Sequence, residues 1–397
     1  MHAEVLAFLD RVRQARPALF DADRVVEFGA YDINGSASSL WRPDAVYTGV
    51  DWRAGPGVDV VGLAHDYQPL PFLPPTEVCV STEMLEHDPH WRESVANMVR
   101  ILADGGSVLL TCAAPGRPAH EIDCAPAPGY YRPVGAVELV QHLRELAQWD
   151  MLWAEQPSLP ADTYVAAIGK RANTRRPHTS VVMGVVNNAQ RTAEAMQSLR
   201  ETAHQALEIV VVDNGSTPGE SAALRASGPD VYLRYDHLLG YPAATNKGIQ
   251  VAAGQCVALC NNDITMLTEG WDAALHNALP NKADMASPVF DYVGNPSQLV
   301  RAGYSEVYEA PVLYFVMVYC WRSLFLKVGL LDERFGLGNS EDVDFAARVV
   351  QAGGRLLVDP NVQVHHDGHQ TFLSIMDRDA FQSLITSNRE KLVAKWQ

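Results

Sequence analysis

The residues with the most chemistry to offer lie late in the chain. Asn261, Asn262 and Asp263 close the apolar run VALC, and hard oxygen donors of this kind suit Mg2+ or Mn2+ better than a thiolate-seeking metal. Glu341, Asp342 and Asp344 crowd the first turns of SEDVDFAARVVQAG. Two readings of that cluster stand side by side. Asn339 would cap the helix with Asp342, three residues on, closing a capping box, or Asp342 would take the proton of an acceptor hydroxyl. His365, His366 and His369 in DPNVQVHHDGHQTF are candidates to complete a metal site. Upstream, Asp213 ends the strand-like EIVVVD, where a carboxylate can meet the base or ribose of a nucleotide, although the D-N-G-S that it begins is equally good turn chemistry. A glycine-led helix at 241–253 carries Asn246 and Lys247.

A second group lies near the start. VVEFGAYDINGS (25–36) is an apolar strand running into a turn with Gly29, Asp32, Asn34, Gly35 and Ser36, and Asp51 ends the next strand 22 residues after Gly29. Open α/β sheets bind nucleosides at such strand ends, with a carboxylate accepting the ribose hydroxyls. A dinucleotide fits poorly, because Tyr31 and Asn34 stand where the second and third glycines of G-x-G-x-x-G would be. His87 and His120 are the base candidates in this half, each weighed against a structural role.

These residues need elements to hold them. Strand-like runs at Arg24–Phe28, Val46–Val50, Glu77–Ser81, Ser107–Thr111 and Tyr164–Ile168 alternate with helical stretches at Pro89–Leu102 and Val134–Ala147. Such alternation predicts a mainly parallel sheet covered on both faces. After the basic, proline-bearing KRANTRRPH (170–178) the pattern restarts with strands at 180–186, 208–213 and 256–260 and helices at 189–203 and 241–253. The fold class is therefore α/β with two domains, 1–170 and 179–397, joined by a linker at 171–178.

The first constellation, read with GVDWRAGPGVDVV, LAHDYQPLPF and VSTEMLEHDPHW, resembles class I S-adenosylmethionine-dependent methyltransferases. That resemblance covers roughly the first 170 residues and implies a Rossmann-like sheet. It also implies a pocket shaped by Glu27, Gly29, Asn34 and Gly35, Asp51 on the ribose and Asp66 near the adenine amine, with His120 as a candidate base. No N/D-P-P-Y/F motif follows VCVST, which argues against methylation of a DNA base amine.

The second constellation, about 179–376, resembles inverting family-2 glycosyltransferases with an A-type nucleotide-binding fold, especially their rhamnosyltransferase-like branch. That resemblance implies a nucleotide-sugar donor contacted by Asp213 and Asn246, and Mn2+ or Mg2+ on Asp263. It further implies His366, or His365 if the register slips by one, beside the metal or diphosphate, and Asp342 of the Glu341–Asp342 pair as base. The two resemblances together imply a bifunctional enzyme of glycan or polysaccharide biosynthesis. The alternative keeps an active glycosyltransferase with a noncatalytic docking or binding domain in front.

Composition narrows the partners. The 397 residues carry 31 basic and 47 acidic side chains, a net −16, which opposes general attachment to nucleic acid or an anionic membrane. The expected acceptor is a glycan or glycoconjugate, and a homo-oligomer is compatible with the sequence. MHAEVLAFLDRVRQARP reads as an amphipathic helix rather than a signal, and no apolar run is long enough to span a bilayer. Six cysteines without CxxC or zinc-like spacing point to reducing cytoplasm.

Overall fold

The computed structural model describes all residues except 1–2, 34, 71–72, 74, 120–126, 128, 172–176 and 369–376. The chain divides into two compact units, Met1–Thr174 and Arg175–Gln397. Of the expected site residues, Asn34, His120 and His369 lie outside the described residues.

In the first unit, helix α1 (Ala3–Ala15) precedes strands β1 (Arg24–Phe28), β2 (Val46–Asp51), β3 (Val60–Val61) and β4 (Thr76–Thr82). Helix α2 (Trp91–Ile101), β5 (Leu102–Ala113), α3 (Ala136–Leu146), β6 (Gln148–Gln156) and β7 (Asp162–Arg171) follow. The sheet order is β3-β2-β1-β4-β5-β7-β6. Strands β3 to β5 are parallel, whereas β7 runs antiparallel to both β5 and β6. Strand β1 is buried at every position, as a central strand covered on both faces must be. The order reverses between β1 and β4, the switch point at which open α/β sheets leave a crevice beyond their carboxyl ends. Three features depart from expectation: the far edge is antiparallel, the two-residue β3 is too short to show a pattern, and β6 was not foreseen, because QWDMLWAEQ mixes polar and apolar residues with no clean alternation.

The second unit holds β8 (Thr179–Val185), α4 (Ala189–Thr202), β9 (Leu207–Asn214), α5 (Pro218–Ala226), β10 (Val231–Tyr235), α6 (Tyr241–Val251) and β11 (Cys256–Cys260). Then come β12 (Ile264–Met266), α7 (Trp271–Asn277), β13 (Met285–Phe290), β14 (Tyr308–Glu309), β15 (Met317–Trp321) and α8 (Ser323–Val328). The unit closes with α9 (Glu341–Gln351), β16 (Leu356–His366) and α10 (Arg378–Trp396). Its strands lie in the order β10-β9-β8-β11-β15-β13-β16-β12, and β14 pairs with β16. Strands β10, β9, β8 and β11 are parallel and end at one edge.

The core of this unit is the apolar run of each central strand: Val181, Val182, Met183 and Ile209 to Val212 are all 1% exposed or less. Each such side chain contributes about 1.5–3 kcal/mol by leaving water. The second half of the longest apolar run, Pro311 to Trp321, forms β15, a buried strand between β11 and β13. Among the described residues, no helix is long and apolar enough to cross a membrane.

Candidate functional site

A cleft of about 520 Å³ opens in the second unit at the carboxyl ends of β8, β9 and β11. Asn187 and Asn188 leave β8 with φ of 55° and 56°, a left-handed turn that asparagine tolerates. The Asn187 N–H donates to Ser216 Oγ (2.7 Å) and its Oδ1 accepts from the Thr217 N–H (3.0 Å), tying together the loops after β8 and β9. Gly240 (φ 94°) leads into α6 where a Cβ would lie 2.0 Å from the Gly336 carbonyl oxygen, so glycine is required for α6 to approach that loop.

Asn261, Asn262 and Asp263 follow β11 into the cleft, and His366 enters it from the end of β16. The antiparallel register pairs Ile264 with His366 and Thr265 with His365. Successive side chains of a strand face opposite ways, so one histidine of the pair enters and the other leaves. His365 is bound on the outside by Asp291, whose Oδ2 meets its Nδ1, and by Asp367 Oδ1 at 2.9 Å. Those two carboxylates raise its pKa, Asp291 most.

His366 Nδ1 lies 2.9 Å from the Tyr292 carbonyl, which can only accept, so Nδ1 carries the proton and Nε2 faces the cleft. Nε2 stands 3.4 Å from Asp263 Oδ1, and both atoms are buried without a hydrogen-bond partner among the described residues. Burial is the largest influence and lowers the His366 pKa, but Asp263, the Tyr292 carbonyl and Asp291 together raise it overall. Two buried donor atoms aimed at one point, with the far imidazole nitrogen anchored on a carbonyl, fit a divalent cation.

Glu341 and Asp342 begin α9 on the opposite wall. Asn339 and Ser340 precede them with φ of 76° and 79°. Ser340 is the N-cap residue and makes no side-chain cap bond, while Asp342 Oδ1 accepts from the Val343 N–H at 2.8 Å. The expected capping box is therefore not formed, because the left-handed pair turns Asn339 away from the helix start. Burial raises the pKa of both carboxyls, and the Asp342 charge pushes Glu341 up further. The two adjacent carboxyls titrate as one coupled pair whose protons are held above the ordinary carboxylate range.

Helix α10 supplies the remaining wall with Ile385, Arg389 and Leu392. It is anchored by Asn388, fully buried, whose Nδ2 donates to the Phe335 and Gly338 carbonyls at 2.7 Å each. Trp396 Nε1 donates to Asp344 Oδ1 (3.0 Å). Sequence reasoning missed α10, Tyr292 and Asp291. The abrupt change from the apolar end of β13 to Asp291 was the available signal there, and Asp377, which caps α10 by accepting from the Ala380 N–H at 2.8 Å, was the local signal for the helix.

Two expected contacts lie elsewhere. Asp213 is fully buried below the cleft, where its carboxylate accepts from the Ser216 N–H (2.9 Å), Tyr232 Oη (2.7 Å) and Ser221 Oγ. It is Asn214, the next residue, that lines the cleft. Asn246 is likewise buried: it donates to the Leu331 carbonyl and Glu333 Oε1 and accepts from the Leu331 N–H, all at 2.9 Å. Both residues shape loops rather than face a ligand.

In the first unit, Gly29 (φ 77°) turns the chain after β1 against Met84, whose Cβ would be 2.9 Å from an added Cβ. Asp51 lies at the end of β2, with Oδ2 accepting from the Tyr31 N–H and Oδ1 from the Arg53 N–H, both at 3.2 Å. Burial raises its pKa. Gly35 (φ 110°) donates its N–H to Asp32 Oδ1 at 2.6 Å. Glu27 is engaged by Tyr47 Oη (2.8 Å) and Ser36 Oγ (3.1 Å), so its carboxylate supports the turn from behind. Asp66 is exposed, while its neighbours Ala64 and His65 line a crevice with Gly29, Asp51 and Asp88. That crevice measures about 40 Å³, well below the roughly 300 Å³ at which small-ligand pockets begin.

With this geometry in hand, the chain can be set beside known proteins. Residues 180–327 match the family model described as glycosyl transferase family 2. Similar curated proteins include the Pre-mycofactocin glycosyltransferase of Mycobacterium tuberculosis strains CDC 1551 / Oshkosh and ATCC 25618 / H37Rv, each 29% identical over 305 residues. The alignment takes in 72% of this chain and 60% of that protein, so the chain spans about 60% of the length of these relatives. The O-antigen biosynthesis protein RfbC of Myxococcus xanthus is 33% identical over 76 residues, 18% of this chain and 6% of that protein.

Among solved structures, GalNAc-T7 with UDP, GalNAc and Mn2+ aligns with a TM-score of 0.40 and 18% identity, over 50% of this chain and 45% of that one. The mannosyltransferase PcManGT from Pyrobaculum calidifontis, in complex with GDP-Man and Mn2+, gives 0.41 and 22%, over 50% of this chain and 59% of that one.

Proposed function

We propose that the second unit is a metal-dependent, inverting glycosyltransferase that moves a sugar from a nucleotide-sugar donor to a hydroxyl of a glycan or glycoconjugate acceptor. The observation that carries this reading is the pairing, across one cleft, of the Asp263–His366 donor atoms with the Glu341–Asp342 acid pair. The family match over 180–327 supports it independently. Asp263 and His366 would hold Mn2+ or Mg2+, which supplies charge neutralisation to a departing diphosphate.

Asp342 accepts the acceptor hydroxyl's proton as that oxygen attacks the anomeric carbon from the face opposite the leaving group. Burial and the neighbouring Asp342 charge raise the Glu341 pKa, which keeps the local charge low. Asn214 at the end of β9 and Arg389 on α10, which both line the cleft, would meet the nucleotide and its phosphates. The five described cysteines are all buried free thiols, consistent with work in a reducing, cytoplasmic setting.

The first unit carries two readings. Asp51 at the end of β2, beside the sheet's switch point, favours binding of S-adenosylmethionine and methyl transfer to the same product. The 40 Å³ crevice favours a noncatalytic docking module. Calorimetric titration of the full chain with S-adenosylmethionine, and with nucleoside diphosphates plus Mn2+, tests the whole proposal. Nucleotide binding lost in Asp263→Ala is expected. Absence of nucleotide binding in the presence of Mn2+ overturns the glycosyltransferase reading, and absence of S-adenosylmethionine binding settles the first unit as a module.

A further inference from the structure

At the opposite end of the second unit's sheet from the cleft, three side chains with soft or borderline donor atoms converge. His178 immediately precedes β8, Cys256 begins β11 and His276 lies in the last turn of α7. Their ligand atoms all lie within 4.8 Å of one another. The placement is fixed by backbone. The Cys256 N–H donates to the His178 carbonyl at 3.0 Å, and α7 is pinned by Trp271, fully buried, whose Nε1 donates to the Leu199 carbonyl at 3.1 Å.

Cys256 Sγ is 3.5 Å from His276 Nδ1. A tetrahedral zinc with Zn–S of about 2.3 Å and Zn–N of about 2.0 Å sets its sulfur and nitrogen ligands about 3.5 Å apart. The His178 and His276 rings meet edge to face with centroids 4.8 Å apart, and Trp321 holds the other side of His276 at 5.0 Å. Cys256 is fully buried and the two histidines are half-buried, so the group has one side open to solvent.

We propose that His178, Cys256 and His276 form a second metal site, which takes a thiophilic ion such as Zn2+ with solvent in the fourth position. One thiolate and two imidazoles select Zn2+ over the oxygen-seeking Mg2+ and Mn2+ suited to the cleft. Cys256 and Asp263 are seven positions apart along β11 and the turn after it, a span of at most about 23 Å at strand rise. The ion links the start of two adjacent parallel strands to α7 and so clamps the underside of the nucleotide-binding sheet. Its binding releases the thiol proton to solvent.

The test uses the full chain, stripped with a chelator and titrated with Zn2+ alone against a chromogenic competitor, then with Co2+ followed by absorbance. About one equivalent of tight Zn2+ is expected that survives Asp263→Ala and is lost in Cys256→Ser and in His276→Ala. Co2+ is expected to give a thiolate charge-transfer band that Cys256→Ser abolishes. A wild-type chain without that band, or a Zn2+ equivalent unchanged in Cys256→Ser, overturns the site. The wild-type band decides the matter by itself if either variant fails to fold.

Discussion

Asn388→Ala is the sharpest single test of how α10 serves the cleft. Asn388 is buried and donates to two backbone carbonyls, those of Phe335 and Gly338. The Phe335 carbonyl keeps a second donor, the Gly338 N–H at 3.2 Å, whereas no other hydrogen bond is found for the Gly338 carbonyl among the described residues. Removing the amide costs about 0.5–1.5 kcal/mol at the carbonyl that keeps a partner and about 1–3 kcal/mol at the one left orphaned. The sum is about 3 kcal/mol, or roughly a hundredfold in the equilibrium for detaching α10.

Hydrogen exchange of the 378–396 amides reads that equilibrium directly, and their protection is expected to fall by about that factor. Turnover falls with it, because the anchored loop runs straight into Asn339, Ser340 and the acid pair. Protection of α10 unchanged within about threefold would refute the reasoning, since orphaning a buried carbonyl cannot be that cheap.

Asp342→Asn is expected to lower turnover by about 10²–10⁴-fold while nucleotide affinity, measured by calorimetry, stays level. The Asp342 pKa is raised by burial and the base works only when ionised, so kcat/KM falls as pH drops through a window above the ordinary aspartate value of 3.8. The Glu341 pKa is also raised in the folded state, so the fold binds an extra proton there, and that stability, present below the ordinary value of 4.5, is lost as pH rises toward about 8. A scan of Tm against pH should therefore be flatter in Glu341→Gln. Asp263→Ala should weaken Mn2+ by more than about 100-fold, beyond the cost of losing an outer partner, whereas His365→Ala should leave Mn2+ affinity within about threefold.

Much of this fold can be read directly from residue order. The apolar runs that became β1, β4, β8, β9 and β11 are legible because a parallel strand buried on both faces must be apolar throughout. Strand β6 was illegible because Asp150 and the glutamines interrupt it. The Asp263, Asp342 and His366 positions were legible because each sits where an apolar strand or helix start changes abruptly to polar residues. The choice between His365 and His366 needed the register with β12, since a shift of one residue exchanges the faces. Asp213 and Asn246 looked like ligand contacts because sequence shows a polar side chain but not the loop atoms that occupy it. His178, Cys256 and His276 were invisible for a related reason: their spacings match no ligand motif, and only the pairing of β8 with β11 and the seating of α7 bring them together.

The alternation at the end of β16 also gives the protein a built-in spectroscopic reference. Two imidazoles on adjacent residues share the same strand, tumbling and temperature, yet one looks into the cleft and the other at solvent-facing carboxylates. In a nitrogen-15 histidine spectrum, a diamagnetic divalent cation entering the cleft would shift the His366 ring resonances, with His365 beside it as the internal standard.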